Sequence, residues 1–151
     1  MKILMVCLGN ICRSPMAEGI LRDKVLKKNL AISTDSCGTG DWHVGQKPDP
    51  RAIKTLKNKG IDISDLRGRQ FSIHDFDSFD IIFCMDKNNY NNILELSKND
   101  IQKTKVKMIL NEINPGANQP VPDPYYGGDS GFENVYQLLD KATDIILEKH
   151  A

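Results

Sequence analysis

The 151-residue chain has no excess of charge of either sign, because twenty Lys and Arg residues are matched by twenty Asp and Glu residues. A neutral overall field argues against partners held by bulk electrostatics, so neither a nucleic acid nor an anionic membrane surface is expected. Long apolar runs are missing too. The N-terminal run is interrupted by Gly9, Asn10 and Arg13, too early for a signal-peptide core or a membrane span, and the expected setting is the cytoplasm. The only histidines, His43, His74 and His150, are scattered, and no C-x-x-C pair occurs. Neither zinc nor any other metal or cofactor is expected. Four cysteines (Cys7, Cys12, Cys37, Cys84) without a secretory signal are expected as reduced thiols rather than disulfides. With no repeat, low-complexity tract or separating linker, residues 1–151 suit one domain with an ordinary core.

What is present begins at residue 1. An apolar segment over 1–6 reads as a buried strand, and it runs directly into Cys7-Leu8-Gly9-Asn10-Ile11-Cys12-Arg13-Ser14-Pro15. Ser14 and Pro15 suit a helix start, Ser as a cap and Pro in the first turn. The loop then lies at a helix N-terminus, where backbone N–H groups and the helix dipole attract an anion and Arg13 adds a permanently charged fork. The same field favours Cys7 as a thiolate. Spacing alone is weak evidence, since a cysteine six residues before an arginine recurs in about one shuffled chain in eight. Context decides. A cysteine that merely packs the core is the plain alternative for Cys7, and Gly9 with Asn10 weighs against it, because both tolerate the left-handed geometry of a tight anion nest.

Further along, Met16, Ala17, Ile20, Leu21 and Val25 recur at helical spacing, with Arg22, Asp23, Lys24, Lys27 and Lys28 read as a solvated face. A strand is expected over 30–36, broken at Cys37-Gly38-Thr39-Gly40. Asp49 and Pro50 start a helix that Gly60 ends. A strand over 79–85 follows, with Asp86 capping the next helix, then a weaker strand over 106–110 and a long helix carrying Phe132, Val135, Leu139, Ala142 and Ile146. Alternating strands and helices favour an α/β fold with a parallel sheet covered on both faces, whose ligands bind at the carboxyl ends of the strands.

A second motif lies at Val121-Pro122-Asp123-Pro124-Tyr125-Tyr126-Gly127-Gly128. Asp between prolines commonly begins a turn. Beside a thiolate nucleophile it gains a chemical reason, because attack on a phosphate ester expels an oxyanion that needs a proton, and Asp123 can supply it. Tyr125, Tyr126 and Trp42 fall in loops. Aromatic faces flanking a phosphate site favour an aryl ring over a shorter substrate.

Together these residues resemble the low-molecular-weight protein tyrosine phosphatases over nearly the whole chain. The segments that carry the likeness are Val6 through Glu18, Asp35-Ser36, Asp41-Trp42-His43-Val44-Gly45, Pro48-Asp49-Pro50-Arg51-Ala52, Met85-Asp86 and Asp123-Pro124-Tyr125-Tyr126-Gly127. The resemblance implies a three-layer α/β/α fold with a four-stranded parallel sheet in order 2-1-3-4, and metal-independent hydrolysis of phosphotyrosine. It makes Cys7 the nucleophile that becomes a cysteinyl-phosphate, Arg13 the phosphate clamp and Asp123 the general acid and then base. Phosphate or another oxyanion would sit in the loop formed by Leu8, Gly9, Asn10, Ile11, Cys12, Arg13 and Ser14. Asn10, Ser14 and Ser36 would brace that loop, while Ile11, Trp42, Tyr125 and Tyr126 would wall the pocket. Cys7 and Cys12 would form a reversible redox pair, in keeping with capture of a sulfenic acid by a neighbouring thiol. Cys37 and Cys84 read as packing residues. No bracing residue is assigned in 62–69, and the role of His43 is left open. The expected substrates are phosphotyrosine proteins, and the expected state is a monomer.

Three other readings share these features. A thioredoxin-coupled arsenate reductase needs two further, closely placed cysteines, and only Cys84 lies beyond Cys37. A phosphoarginine phosphatase would carry a small threonine where this chain has the bulkier, apolar Ile11. A non-catalytic phosphotyrosine reader would have lost a reacting group, yet Cys7, Arg13 and Asp123 are all present.

Overall fold

β1 (Lys2–Cys7) is buried at every residue after Lys2, and its alternating side chains serve two different cores. Ile3, Met5 and Cys7 join Met16, Ile20, Leu56, Phe132 and Leu139 on one face, whereas Leu4 and Val6 join Phe76, Ile82 and Ile93 on the other. The two-residue period of a strand, with both faces covered, explains why this segment reads as one unbroken apolar run. The computed structural model describes residues 1–126 and 128–151.

β1 pairs in parallel with β2 (Ser33–Gly38) on one side and β3 (Ile81–Cys84) on the other, and β3 pairs in parallel with β4 (Val106–Met108). The strand order is therefore 2-1-3-4, as expected. In chain order the helices are α1 (Arg13–Lys27), α2 (Pro50–Lys57), α3 (Asp75–Ser78), α4 (Lys87–Leu96), α5 (Asp100–Lys105) and α6 (Asp129–His150). α1, α2 and α6 pack on one another over the first face. α3 and α4 cover the opposite face, with α5 against α3 and β4.

Local chemistry sets most of the boundaries. Asp49 accepts a hydrogen bond from the Arg51 N–H and Pro50 opens α2, while Asp86 and Asn89 form a reciprocal capping box at the head of α4. α1 departs from the expectation. It begins at Arg13 with Cys12 at the N-cap and no side-chain cap, because the Ser14 hydroxyl turns instead toward the Cys7 sulfur. The first-turn N–H groups are thus left for something other than a side chain.

β2 also differs, starting three residues late and continuing through Cys37 and Gly38, where a break was expected. Gly38 pairs with Cys7, and a Cβ built on it would lie 2.6 Å from the Leu8 carbonyl oxygen. Glycine serves close approach here, not strand termination. β4 is shorter than the apolar run suggests, since Ile109 and Leu110 stay buried in a 3-10 turn (Ile109–Glu112). α3 and α5 have too few residues to show a helical period. The α1 charges are only partly solvated: Lys24 Nζ lies 2.8 Å from Asp140 and 2.9 Å from Asp144 of α6, and Arg22 pairs with Asp65 at 3.0 Å.

Candidate active site

The carboxyl end of β1 delivers residues 7–13 as a loop whose carbonyls are bonded to its surroundings. Those of Cys7, Leu8, Ile11 and Cys12 accept from the N–H groups of Thr39, Gly40, Asp49 and Met16 at 2.8–3.1 Å. In a planar trans peptide the N–H points opposite to its C=O. The amides of Leu8, Gly9, Cys12 and Arg13 are therefore directed away from those partners. Asn10 adopts the left-handed conformation, with φ 57°, and its N–H points at the Cys7 sulfur at 3.3 Å. Gly9 is not among the positive-φ residues of the described chain. Its small size matters instead because His43 Cδ2 would lie 3.2 Å from a Cβ there.

Arg13 is nearly buried, and one nitrogen, Nη1, donates to Asp86 Oδ2 at 2.8 Å and to the Val121 carbonyl at 2.9 Å. Among the described residues no partner meets Nε or Nη2. Cys7 Sγ lies 3.0 Å from Ser14 Oγ. Ser14 Oγ accepts from Asn10 Nδ2 at 2.8 Å, and the same amide nitrogen donates to Ser36 Oγ at 3.0 Å. The expected braces Asn10, Ser14 and Ser36 are thus brought together around the sulfur. Asn10 Oδ1 accepts from the Arg69 N–H at 3.0 Å, so the segment after α2, where no brace was assigned, does reach the loop, through its backbone.

A cleft of about 320 Å³ opens over this loop, lined by Cys7, Leu8, Gly9, Ile11, Cys12, Arg13, Trp42, His43, Asp123, Tyr125 and Tyr126. Two distant segments close it. Asp123 Oδ1 accepts from the Tyr125 N–H at 3.0 Å, so the turn expected of this motif and its place at the cleft coexist. Tyr125 and Tyr126 meet edge to face at 5.0 Å, and Arg51 lies over the Tyr125 ring at 5.4 Å and the Phe132 ring at 4.8 Å. Trp42 is 65 % exposed and Tyr126 89 %, large apolar surfaces left to solvent at the cleft mouth. Gly127, at the end of the motif, lies outside the described residues.

The model of the low molecular weight phosphotyrosine protein phosphatase family matches residues 2–150. The chain belongs to this family. A phosphatase of that name from Schizosaccharomyces pombe is 48% identical over 143 residues, covering 92% of this chain and 90% of the relative. A crystal structure of a protein tyrosine phosphatase from Entamoeba histolytica with Hepes in its active site superposes with a TM-score of 0.92. It is 38% identical and covers 99% of this chain and 96% of that one. A Drosophila arginine phosphatase superposes with the same TM-score at 34% identity, over 99% of this chain and 98% of that one.

Burial pushes the Cys12 thiol up to about 12, and the negative groups Asp49, Cys7 and Asp123 add to the shift, so Cys12 is a neutral thiol near neutral pH. Cys37 and Cys84 are fully buried, and burial raises both thiols well above their usual range, in keeping with packing roles. All four cysteines are free. Among the described residues no group of His, Cys, Asp and Glu could hold a metal ion. His43 lines the cleft and bonds Gln46 Oε1 through Nδ1 at 2.9 Å.

Two residues near the loop escaped the sequence reading of the site. Asp86 was read as a helix cap and as part of the Met85-Asp86 likeness, with no role assigned at the site, yet its second oxygen holds Arg13. Glu18, a charged residue among the apolar positions of α1, is 6 % exposed and accepts from the Ser36 hydroxyl at 2.6 Å. Burial pushes its carboxyl up to about 7 against the lowering pull of Ser36. Its signal was a carboxylate on the helix face that also carries Ala17, Leu21 and Val25.

Proposed function

We propose that this chain hydrolyses phosphotyrosine and related aryl phosphates through a cysteinyl-phosphate on Cys7. The observation that carries the reading is that Cys7, Arg13 and Asp123, from the two ends of the sequence, line one cleft. The Cys7 thiolate attacks phosphorus, and the P–O bond to the aryl oxygen breaks as Asp123 gives its proton to that oxygen. Asp123, now a carboxylate, takes a proton from water. The resulting hydroxide displaces sulfur from phosphorus, releasing inorganic phosphate and regenerating the thiolate.

Charge is met by fixed donors. The Nε and Nη2 edge of Arg13, without a partner among the described residues, presents a two-pronged donor to two phosphoryl oxygens, and the amides of Leu8, Gly9, Cys12 and Arg13 receive the rest. Asn10 N–H points at the sulfur and Ser14 Oγ lies 3.0 Å from it. Ile11 is apolar and, with Trp42, Tyr125 and Tyr126, suits an aromatic ring, which supports tyrosine over arginine as the phosphorylated side chain. Cys12, adjacent to the nucleophile at the cleft floor, is the thiol that would condense with an oxidised Cys7, forming a disulfide and releasing water.

Proteins carrying phosphotyrosine are the substrates on this reading, and a monomer suffices, since a single chain contributes every group named. The joining of residues 7–13 to 123–126 in one cleft supports treating 1–151 as one domain. Free cysteines fit a cytoplasmic setting, and among the described residues no helix is long and apolar enough to cross a membrane. Turnover of p-nitrophenyl phosphate by the native chain, abolished in Cys7→Ser, is expected; undiminished turnover by Cys7→Ser would overturn the reading.

A further inference from the structure

Glu18 is a buried carboxyl that the chemistry above does not use, and it ends a line of hydrogen bonds that starts at the nucleophile. We propose that Glu18 is a positioning residue that anchors the line of hydrogen bonds running from Ser36 through Asn10 and Ser14 to the Cys7 sulfur. The inference rests on the reading of Cys7 as the nucleophile.

The protons available in this line fix which group donates at each contact. Arg69 N–H can only donate, so the Asn10 amide must turn its oxygen to it and its NH2 to the two serines. Asn10 Nδ2 carries two hydrogens, one for Ser36 Oγ and one for Ser14 Oγ. Each hydroxyl must then accept from Asn10 and place its own single hydrogen elsewhere. For Ser36 that place is Glu18 Oε1, at 2.6 Å. For Ser14 it is the Cys7 sulfur at 3.0 Å, the Cys37 carbonyl being farther at 3.4 Å. Without an acceptor at position 18, the Ser36 hydrogen has no fixed partner and the hydroxyl is free to rotate, which weakens one of the contacts that hold the Asn10 amide. Asn10, still oriented by Arg69, is then held less firmly against Ser14, and the hydrogen bond from Ser14 to sulfur loses part of its fixed geometry.

The setting suits a fixed acceptor. Glu18 sits inside α1, with Arg22 one turn further along the helix, Asp35 on β2 and Asp65 on the loop that Arg22 binds as its charged surroundings. Asp35 is itself paired with Arg69 at 3.0 Å, the residue whose N–H orients Asn10. A carboxyl oxygen accepts from Ser36 whether the group is ionised or not, provided any proton is on the other oxygen. An amide oxygen can take its place. A side chain of the same length without an acceptor cannot.

The test compares Glu18→Gln with Glu18→Met, using the rate at which iodoacetate alkylates Cys7 across pH, together with kcat on p-nitrophenyl phosphate. Glu18→Met is expected to move the alkylation profile to higher pH and slow the reaction about ten-fold at mildly acidic pH, the worth of one hydrogen bond to a charged group. Glu18→Gln should stay near native. In a Ser36→Ala background Glu18→Met should add nothing, since the line is already cut. Alkylation of Glu18→Met on the native profile, or a full effect that persists without Ser36, would overturn the proposal. Should Glu18→Met not fold, Glu18→Leu takes its place with the same expected shift, and a native profile in Ser36→Ala would by itself reject the proposal. Alkylation reads the thiolate directly, so a native chain that alkylates normally yet turns over no phosphate would reject the catalytic reading and leave this one standing.

Discussion

Arg13 and Asp86 lie 73 residues apart and meet at 2.8 Å, with the arginine almost buried and the carboxylate partly so. The pair does not neutralise the loop. It fixes one nitrogen of the guanidinium so that the other edge faces the cleft, and the Val121 carbonyl repeats the constraint from the segment that leads to Asp123. Asp86 has two separable tasks, because one oxygen caps α4 and the other holds Arg13. Asparagine retains the cap through its oxygen but then turns its NH2, a donor, toward the Arg13 nitrogen, so the charged hydrogen bond is lost. Asp86→Asn is therefore expected to lower kcat/KM on aryl phosphates about ten-fold while leaving the melting temperature nearly unchanged. A parallel fall in melting temperature would show that the pair is structural, and steady-state kinetics beside a thermal melt decides.

At the scale of elements, the loop takes its shape from the strand next to it. β2 runs to Gly38, whose backbone lies against Leu8, and the N–H groups of Thr39 and Gly40 donate to the Cys7 and Leu8 carbonyls at 2.9 and 3.0 Å, holding the loop in place. Gly38→Ala drives a methyl group into the Leu8 carbonyl, where only backbone can move. Destabilisation of about 1–3 kcal/mol is expected, read as a lower midpoint in urea, with a disproportionate loss of turnover because the displaced atoms belong to the loop. Unchanged stability would mean that the strand end has room to shift. Elements marked by local signals were legible in the sequence: the apolar run of β1, Asp49 with Pro50 at α2, Asp86 at α4. Those set by contacts were not. Nothing local told that Gly38 continues a strand, that Ser14 faces sulfur rather than capping α1, or that four residues at 75–78 form a helical turn.

For the whole molecule, the chain folds its first and last thirds into one cleft, and the residue types at both ends announced it. The supports between them come from positions 18, 69 and 86, each partnered across at least 18 residues, and no spacing rule reaches so far. One of them leaves a signature on global stability. The Glu18 carboxyl, raised from 4.5 to about 7 by burial, holds its proton in the folded state over a range where the unfolded chain has lost it. The unfolded state then binds fewer protons, so stability falls as pH rises from 4.5 to about 7 and is level beyond. Groups shifted the other way do not offset this. Asp65, lowered by its hydrogen bond to Arg22, and Glu133, lowered by Gln137 and Lys59, have given their full stabilisation once pH exceeds their unfolded values. Urea titrations across this window should show the decline in the native chain and a flatter profile in Glu18→Gln; identical slopes would remove Glu18 as the source.

The claim on which the rest depends is a covalent phosphoenzyme on Cys7, formed with help from Asp123. On the proposed mechanism, Asp123→Ala removes the base that activates water, while an aryl phosphate with a good leaving group still phosphorylates the enzyme without an acid. Acid quenching of Asp123→Ala during turnover of p-nitrophenyl phosphate, followed by mass spectrometry of the peptides, is the direct measurement. A phosphate on the peptide containing Cys7, absent when Cys7→Ser is added, is the predicted result. Continued turnover with no phosphorylated peptide, or with phosphate on another residue, would contradict the account.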